Sequence, residues 1–303
     1  MLKQIFFNRE FLLVLALVLG VVEGKTSQYT APLVLPLLGI VMTLSTMLIS
    51  GRELRSLRTL MAPALWGIVM NYVILSGATL VTAAVIIRDQ DLWTGFVILA
   101  AVPPAVAVIP FTDFLRGDHS YALIGTAGAY LAGLFFMPGI AVAFLGSAVV
   151  QPTRLLSIII SLIVAPFLVS RLLLWLKWDR RIQSFRGPIT NWSFFVVTYT
   201  IVGSNRPIIL ENPLGLAPVL VVAIFTIICL GLIVEYSARW MGVNAGTWRA
   251  LMFLGTLKNY GLAGGVSLTL FGTETALPAT MGVVIMVLYV VLLQLRARVS
   301  YGK

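Results

Sequence analysis

The chain has 303 residues, 59% of them apolar and 11% charged, and its mean hydropathy is +1.01. Soluble domains carry about a quarter charged residues, so this chain cannot cover a water-facing surface; disorder, which needs low hydrophobicity, is excluded as well. Long continuous apolar runs, rather than alternating ones, exclude a β-barrel and define an all-α polytopic membrane protein.

The apolar runs fall, in chain order, at roughly 10–22, 30–50, 60–87, 92–115, 120–145, 153–176, 188–203, 214–235, 247–271 and 277–296. They predict ten transmembrane helices. The first and seventh are short for a hydrocarbon core of about 30 Å and are expected to tilt or to extend into flanking polar residues. The basic start and short apolar stretch of the N-terminus also suit a signal peptide, but no small-x-small cleavage site follows in position. Placing the N-terminus in the cytoplasm puts sixteen Lys/Arg inside and four outside, with Lys258 on neither side. The net charge of +10 is thereby read as the positive-inside bias rather than as a nucleic-acid surface, and both termini are predicted inside. The expected setting is a bacterial inner membrane. Trp93, Trp175, Trp178 and Trp248 read as an interfacial belt. The single Cys229 and single His119 exclude a disulfide framework within the chain and Cys- or His-based metal clusters. No enzyme signature is present, and no cofactor is expected.

The two halves align at an offset of 155 residues. Ala62-Pro63 falls on Ala217-Pro218, Leu115-x-Gly117 on Leu270-x-Gly272, and Pro103-Pro104 on Lys258-Asn259. Five spans per half is an odd number, so the second half enters from the opposite side. The pattern predicts two inverted five-helix repeats, an architecture typical of secondary transporters.

Two spans are broken at equivalent places. Pro103, Pro104 and Pro110 interrupt the fourth; Gly255, Gly261, Gly264 and Gly265 surround Lys258-Asn259-Tyr260 in the ninth. One such break reads as an ordinary kink. Paired breaks in the two halves point to a midplane binding site that includes Pro103, Pro104, Ala105, Lys258, Asn259 and Tyr260. Lys258 lies ten residues from Trp248, about 15 Å deep at the helical rise. An ammonium there is costly unless paired or hydrated. Three roles suit it: a structural tie to half-helix carbonyls, an anion anchor, or a proton carrier. Asn71 is expected at the site or in an interhelical hydrogen bond. Thr126 faces the site or a helix contact. Thr112 and Asp113 mark the cytoplasmic end of the fourth span, where Asp113 reads as an interfacial or gating residue. Ser45, Thr46 and Asn191 are further cavity or structural candidates.

These motifs carry a resemblance. Val102-Pro103-Pro104 through FTDFLRGDHSYAL resembles the fourth helix of the bile acid/sodium symporter superfamily, and Lys258-Asn259-Tyr260-Gly261-Leu262-Ala263 resembles its ninth. LLGIVMTLSTMLI is similar to its second helix, and GIVMNYVI to its third, with Asn71 in place of a Gln. The resemblance covers nearly the whole chain in span order. It implies a panel domain built from 1–58 and 146–210, a core domain built from 59–145 and 211–303, and helices 4 and 9 crossing at their broken centres. It also implies transport of small organic anions, usually with sodium. Departures from the family pattern fall on the positions that the resemblance assigns to sodium. Val108 and Ile109 replace a Ser-Asn pair, Leu254 an acid, Ala122 a Ser and Lys258 a Gln; only Asn71 and Thr126 stay polar. The expectation is a sodium-independent transporter, proton-coupled or facilitative, with Lys258 in the place of the sodium charge. The alternatives are an ordinary sodium-coupled symporter and a non-transporting membrane sensor or scaffold.

Overall fold

The computed structural model describes residues 9–47, 57–146, 153, 157 and 160–301. These residues are almost wholly helical, and the single strand-like feature among them is an isolated bridge between Pro104 and Lys258. Helix α1 is Arg9–Glu23 and α2 is Val34–Thr46, joined by short helical turns. The helical stretch Phe11–Thr46 has 36 residues and would be about 54 Å long if straight, well beyond the bilayer core. It reverses instead. Gly20 meets Val202 and Gly24 meets Gly203, so α1 runs parallel to α9 (Asp179–Ser204). Thr30 bonds Thr200 at 2.5 Å, while Leu38 and Val197 meet over Gly261, so α2 runs back along the same helix. The loop expected between the first two spans is therefore replaced by helical turns. Helix α9 begins well before the apolar run at 188–203, in the charged segment that starts at Asp179.

Leu57–Ile68 (α3) passes through a π-helical segment, Val69–Leu75, into Ser76–Ile86 (α4). The fourth and ninth runs are each two helices. Gln90–Ala101 (α5) and Val108–Phe114 (α6) form the first; His119–Leu145 (α7) follows. Ala165–Trp175 (α8) precedes α9, and Arg206–Glu211 (α10) is a short helix after it. Ala217–Ile224 (α11) passes through a second π-helical segment, Phe225–Cys229, into Leu230–Trp240 (α12). Ala245–Leu254 (α13) and Tyr260–Leu270 (α14) form the other broken pair, and Leu277–Tyr301 (α15) closes the chain. Among the described residues, five helical stretches are long and apolar enough to cross a membrane.

Local signals recur at the 155-residue interval. Asp89 caps α5 by accepting from the Asp91 and Leu92 amides at 2.9 Å each, and Asn244 caps α13 by accepting from Thr247 at 2.9 Å. An acceptor before the first turn satisfies amides that have no helical partner. The two π-helical segments overlap at the same interval, as do the starts of α5 and α13.

Close packing relies on small residues, as in other membrane bundles. A Cβ on Gly67 would lie 2.2 Å from the Gly125 carbonyl oxygen, so α3 and α7 touch backbone to backbone. On α14, Gly261, Gly264 and Gly265 receive Leu38, Val197, Ile201 and Val34 from α2 and α9.

One feature departs from sequence expectation. Trp248, expected on the interfacial rim, is buried, with the guanidinium groups of Arg239 and Arg249 at 4.8 and 5.2 Å from its ring. Cation–π attraction holds it there. Glu235 is buried beside it in the chain's last third and accepts both arms of Arg296, at 2.9 and 3.1 Å, together with Arg239.

Gly67→Leu is expected to cost about 2–3 kcal/mol through overpacking against backbone, read as a lowered Tm in detergent. Gly139→Leu, on the same α7 but with open space at its Cβ, is the control and leaves Tm in place.

Candidate functional site

The site begins with two missing donors. Pro103 and Pro104 have no N–H, so the Leu99 and Ala100 carbonyls lose their helical partners and α5 stops at Ala101. Beyond it the chain is extended and meets the stretch before α14. The Ala105 amide donates to Leu257 O at 2.9 Å, and the Asn259 amide to Pro103 O at 3.0 Å. The two prolines supply only acceptors to this crossing, and their neighbours supply the donors.

Lys258 sits at the bridge and is 1% exposed. Its Nζ donates to Ala100 O at 2.8 Å, Val102 O at 2.9 Å, Asn71 Oδ1 at 2.8 Å and Ser76 Oγ at 2.9 Å. The Tyr72 ring lies 4.9 Å away. Ala100 is one of the residues whose carbonyl the prolines orphan, and the C-terminal end of α5 carries the negative pole of its dipole. Four oxygens and an aromatic face thus surround one ammonium. Among the described residues no carboxylate forms an ion pair with it.

The π-helical segment explains how α3–α4 contributes two of those oxygens. The Ser76 amide bonds Asn71 O, an i→i−5 register that brings residues five apart alongside one another. Ser76 Oγ also lies 2.9 Å from Asn71 O and 2.7 Å from Ala100 O. Sequence reading named Asn71 and missed Ser76. With ordinary helical spacing the two point to different faces; an unexpected π register removes that difference.

The remaining candidates divide into groups. Asn259 is buried, caps α14 by accepting from Leu262 at 3.0 Å, and donates to Tyr130 OH at 3.0 Å. Tyr260 is buried with its ring filling the space left by Gly282. Pro103, Pro104 and Ala105 form the crossing strand. Thr112 is buried but spends its hydroxyl on Val108 O at 2.7 Å. Asp113 is 46% exposed at the end of α6 and pairs with His119 at 2.8 Å, so it is not brought to Lys258. Val108, Ile109, Ala122 and Leu254 are all buried and offer no side-chain oxygen.

Thr126 lies elsewhere. It lines a cavity of about 250 Å³ between α2, α6, α7 and the segment Ile160–Trp175. Ser45, Thr46, Tyr130 and Arg171 share that wall. Tyr130 links the two places, since it faces the cavity and accepts from Asn259. Arg171, counted from sequence only as an orienting charge, donates to the Thr46 carbonyl. Asn191 is not among the residues that line this cavity.

Broken helices that cross inside an apolar helical bundle are an arrangement typical of secondary transporters. The profile described as the sodium bile acid symporter family matches residues 35–212, and the chain belongs to that family. The match contains Asn71, Ser76, Ala100 and Val102 of the cage, while Lys258 lies beyond its end. No curated protein matches the chain.

Lys258→Met is expected to lower Tm more than Ser76→Ala. The first strands the Val102 carbonyl and Asn71 Oδ1 at about 1–3 kcal/mol each, while Ala100 O keeps Ser76 Oγ; the second removes one acceptor of four and costs about 1 kcal/mol. Thermal unfolding of the purified protein in detergent gives the order.

Proposed function

We propose that the protein is a sodium-independent secondary transporter of small organic anions, either proton-coupled or facilitative, in which the Lys258 ammonium occupies the electrostatic place of a coupling cation. The observation that carries this reading is the cage of four oxygens at 2.8–2.9 Å around Nζ. A second cation placed among those oxygens meets a fixed positive charge at close range. Of the positions that resemblance assigns to sodium ligands, Val108, Ile109, Ala122 and Leu254 are apolar and one holds Lys258, so the donor set does not suit a hard cation that takes several oxygens. An uncompensated buried charge is expensive in a membrane and points to function.

In this reading the chain crosses the membrane ten times as two inverted repeats, supported by the 155-residue recurrence of caps, π-helical segments and breaks. Spans 3–5 and 8–10 make a core, and spans 1, 2, 6 and 7 make a panel. Both termini face the cytoplasm of a bacterial inner membrane. Substrate enters between core and panel, and relative motion of the two gives alternating access, by analogy with other transporters.

One observation favours a second reading, ordinary sodium symport: the family's own description. Uptake of carboxylates into proteoliposomes separates the two. Replacing sodium by choline is expected to leave the initial rate within about two-fold, and Lys258→Gln to reduce it by at least ten-fold. Strict sodium dependence with an active Lys258→Gln variant overturns the proposal. Acceleration by an inward proton gradient identifies proton coupling; indifference to it identifies facilitation.

A further inference from the structure

We infer that the cavity beside the crossing recognises its anion through two neutral hydroxyl donors on one face of α7, Thr126 and Tyr130, which together take the oxygens of a carboxylate carried on an apolar body. This rests on the organic-anion reading and names the head group and the residues that meet it.

Tyr130 is fixed as a donor by its neighbour. Asn259 Oδ1 accepts from the Leu262 amide at 3.0 Å. A backbone amide only donates, so that end of the Asn259 side chain is its oxygen and the other end is Nδ2. Nδ2 lies 3.0 Å from Tyr130 OH and donates to it. The phenol therefore spends a lone pair on Asn259 and keeps its own proton. Among the described residues nothing accepts that proton. Tyr130 is 8% exposed and lines the cavity.

Thr126 is an independent pointer. It stands four residues earlier, one turn away on the same helix face. It is 5% exposed, it lines the same cavity, and its hydroxyl has no hydrogen-bond partner. A buried polar atom left in that state calls for an explanation, and a ligand oxygen supplies one. Leu123, Leu134, Ile163 and Phe167 make the surrounding wall largely apolar. The reading needs no donor from Arg171, which is held by Thr46 O and Ser170 Oγ.

The two donors set the chemistry of the guest. A carboxylate offers two oxygens that only accept, and hydrogen bonds to an ionised acceptor are about twice as strong as neutral ones. An alkylammonium brings only donors and leaves the Tyr130 proton unanswered. A hydrocarbon leaves both hydroxyls buried and unpaired, which is unfavourable. An oxygen seated on Tyr130 also extends the chain of bonds through Asn259 to the first turn of α14.

The test uses sodium-free proteoliposomes and three probes, 4-methylpentanoate, 3-phenylpropionate and taurocholate, and takes forward the one carried fastest. Thr126→Val keeps the side-chain shape and removes the hydroxyl; Tyr130→Phe keeps the ring and removes the proton. Each is expected to raise KM for the carried anion about ten-fold, the loss of one hydrogen bond to a charged group, and Thr126→Ser to restore it. Thr126→Val supplies a readout that a merely structural hydroxyl would not: its Tm in detergent without ligand is unchanged or raised, because no protein partner is lost. Tyr130→Phe also frees Asn259 Nδ2, so Thr126→Val carries the test if that variant does not fold. A KM that rises less than about three-fold in either folded variant overturns the inference and leaves the anion-transport reading standing. So does a lowered Tm in Thr126→Val. Uptake of none of the three anions removes both.

Discussion

One lysine nitrogen answers a carbonyl, Ala100 O, that two prolines have stripped of its helical partner, and the site is arranged around that exchange. Pro103 and Pro104 end α5 and leave acceptors facing inward at depth, where water is not at hand to satisfy them. Lys258 arrives on the facing strand, and the bridge at Pro104 fixes its height. The π-helical turn in α3–α4 then aims Asn71 and Ser76 at the same nitrogen. The parts depend on one another: without the break Ala100 O stays in its helix, and without the lysine the Val102 carbonyl and Asn71 Oδ1 lose the donor they share.

The cage and the cavity are chemically unlike. The cage is polar, tightly filled and closed around a side chain of the protein itself. The cavity is apolar, has room, and carries one guanidinium and one idle hydroxyl. Tyr130 joins them through Asn259, which also caps α14. A change in what fills the cavity therefore has a short hydrogen-bonded route to the crossing strands. The two places therefore differ in what they can hold: one is closed around a lysine nitrogen and the other is open space.

Much of the fold was legible because its signals are local. Apolar runs gave the helices, Pro103-Pro104 and the Gly-rich stretch around Lys258 gave the breaks, and the 155-residue interval paired them. The caps Asp89 and Asn244 stand at that interval too and could have been read as a further match. Lys258 was legible because a lysine so far from any span end has few explanations. Ser76 was hidden by the π register, which a 3.6-residue period does not anticipate. Arg171 was hidden by its place near a span end, where a basic residue reads as topology. Trp248 failed for a related reason. Position along the chain marked it as interfacial, but Arg249 beside it on α13 and Arg239 on the preceding α12 both fold over its ring, and apolar runs do not carry that geometry.

The glycine face of α14 has a mechanical consequence. Gly261, Gly264 and Gly265 present bare backbone to the methyl groups of Leu38, Val197 and Ile201, so attraction across this seam is dispersive and has no preferred direction. The bridge at Pro104 and Lys258, in contrast, fastens the two broken helices to each other with directional bonds. In the proposed transport cycle such a seam would let the crossing travel as one piece along α2 and α9, with no directional bond to break on the way.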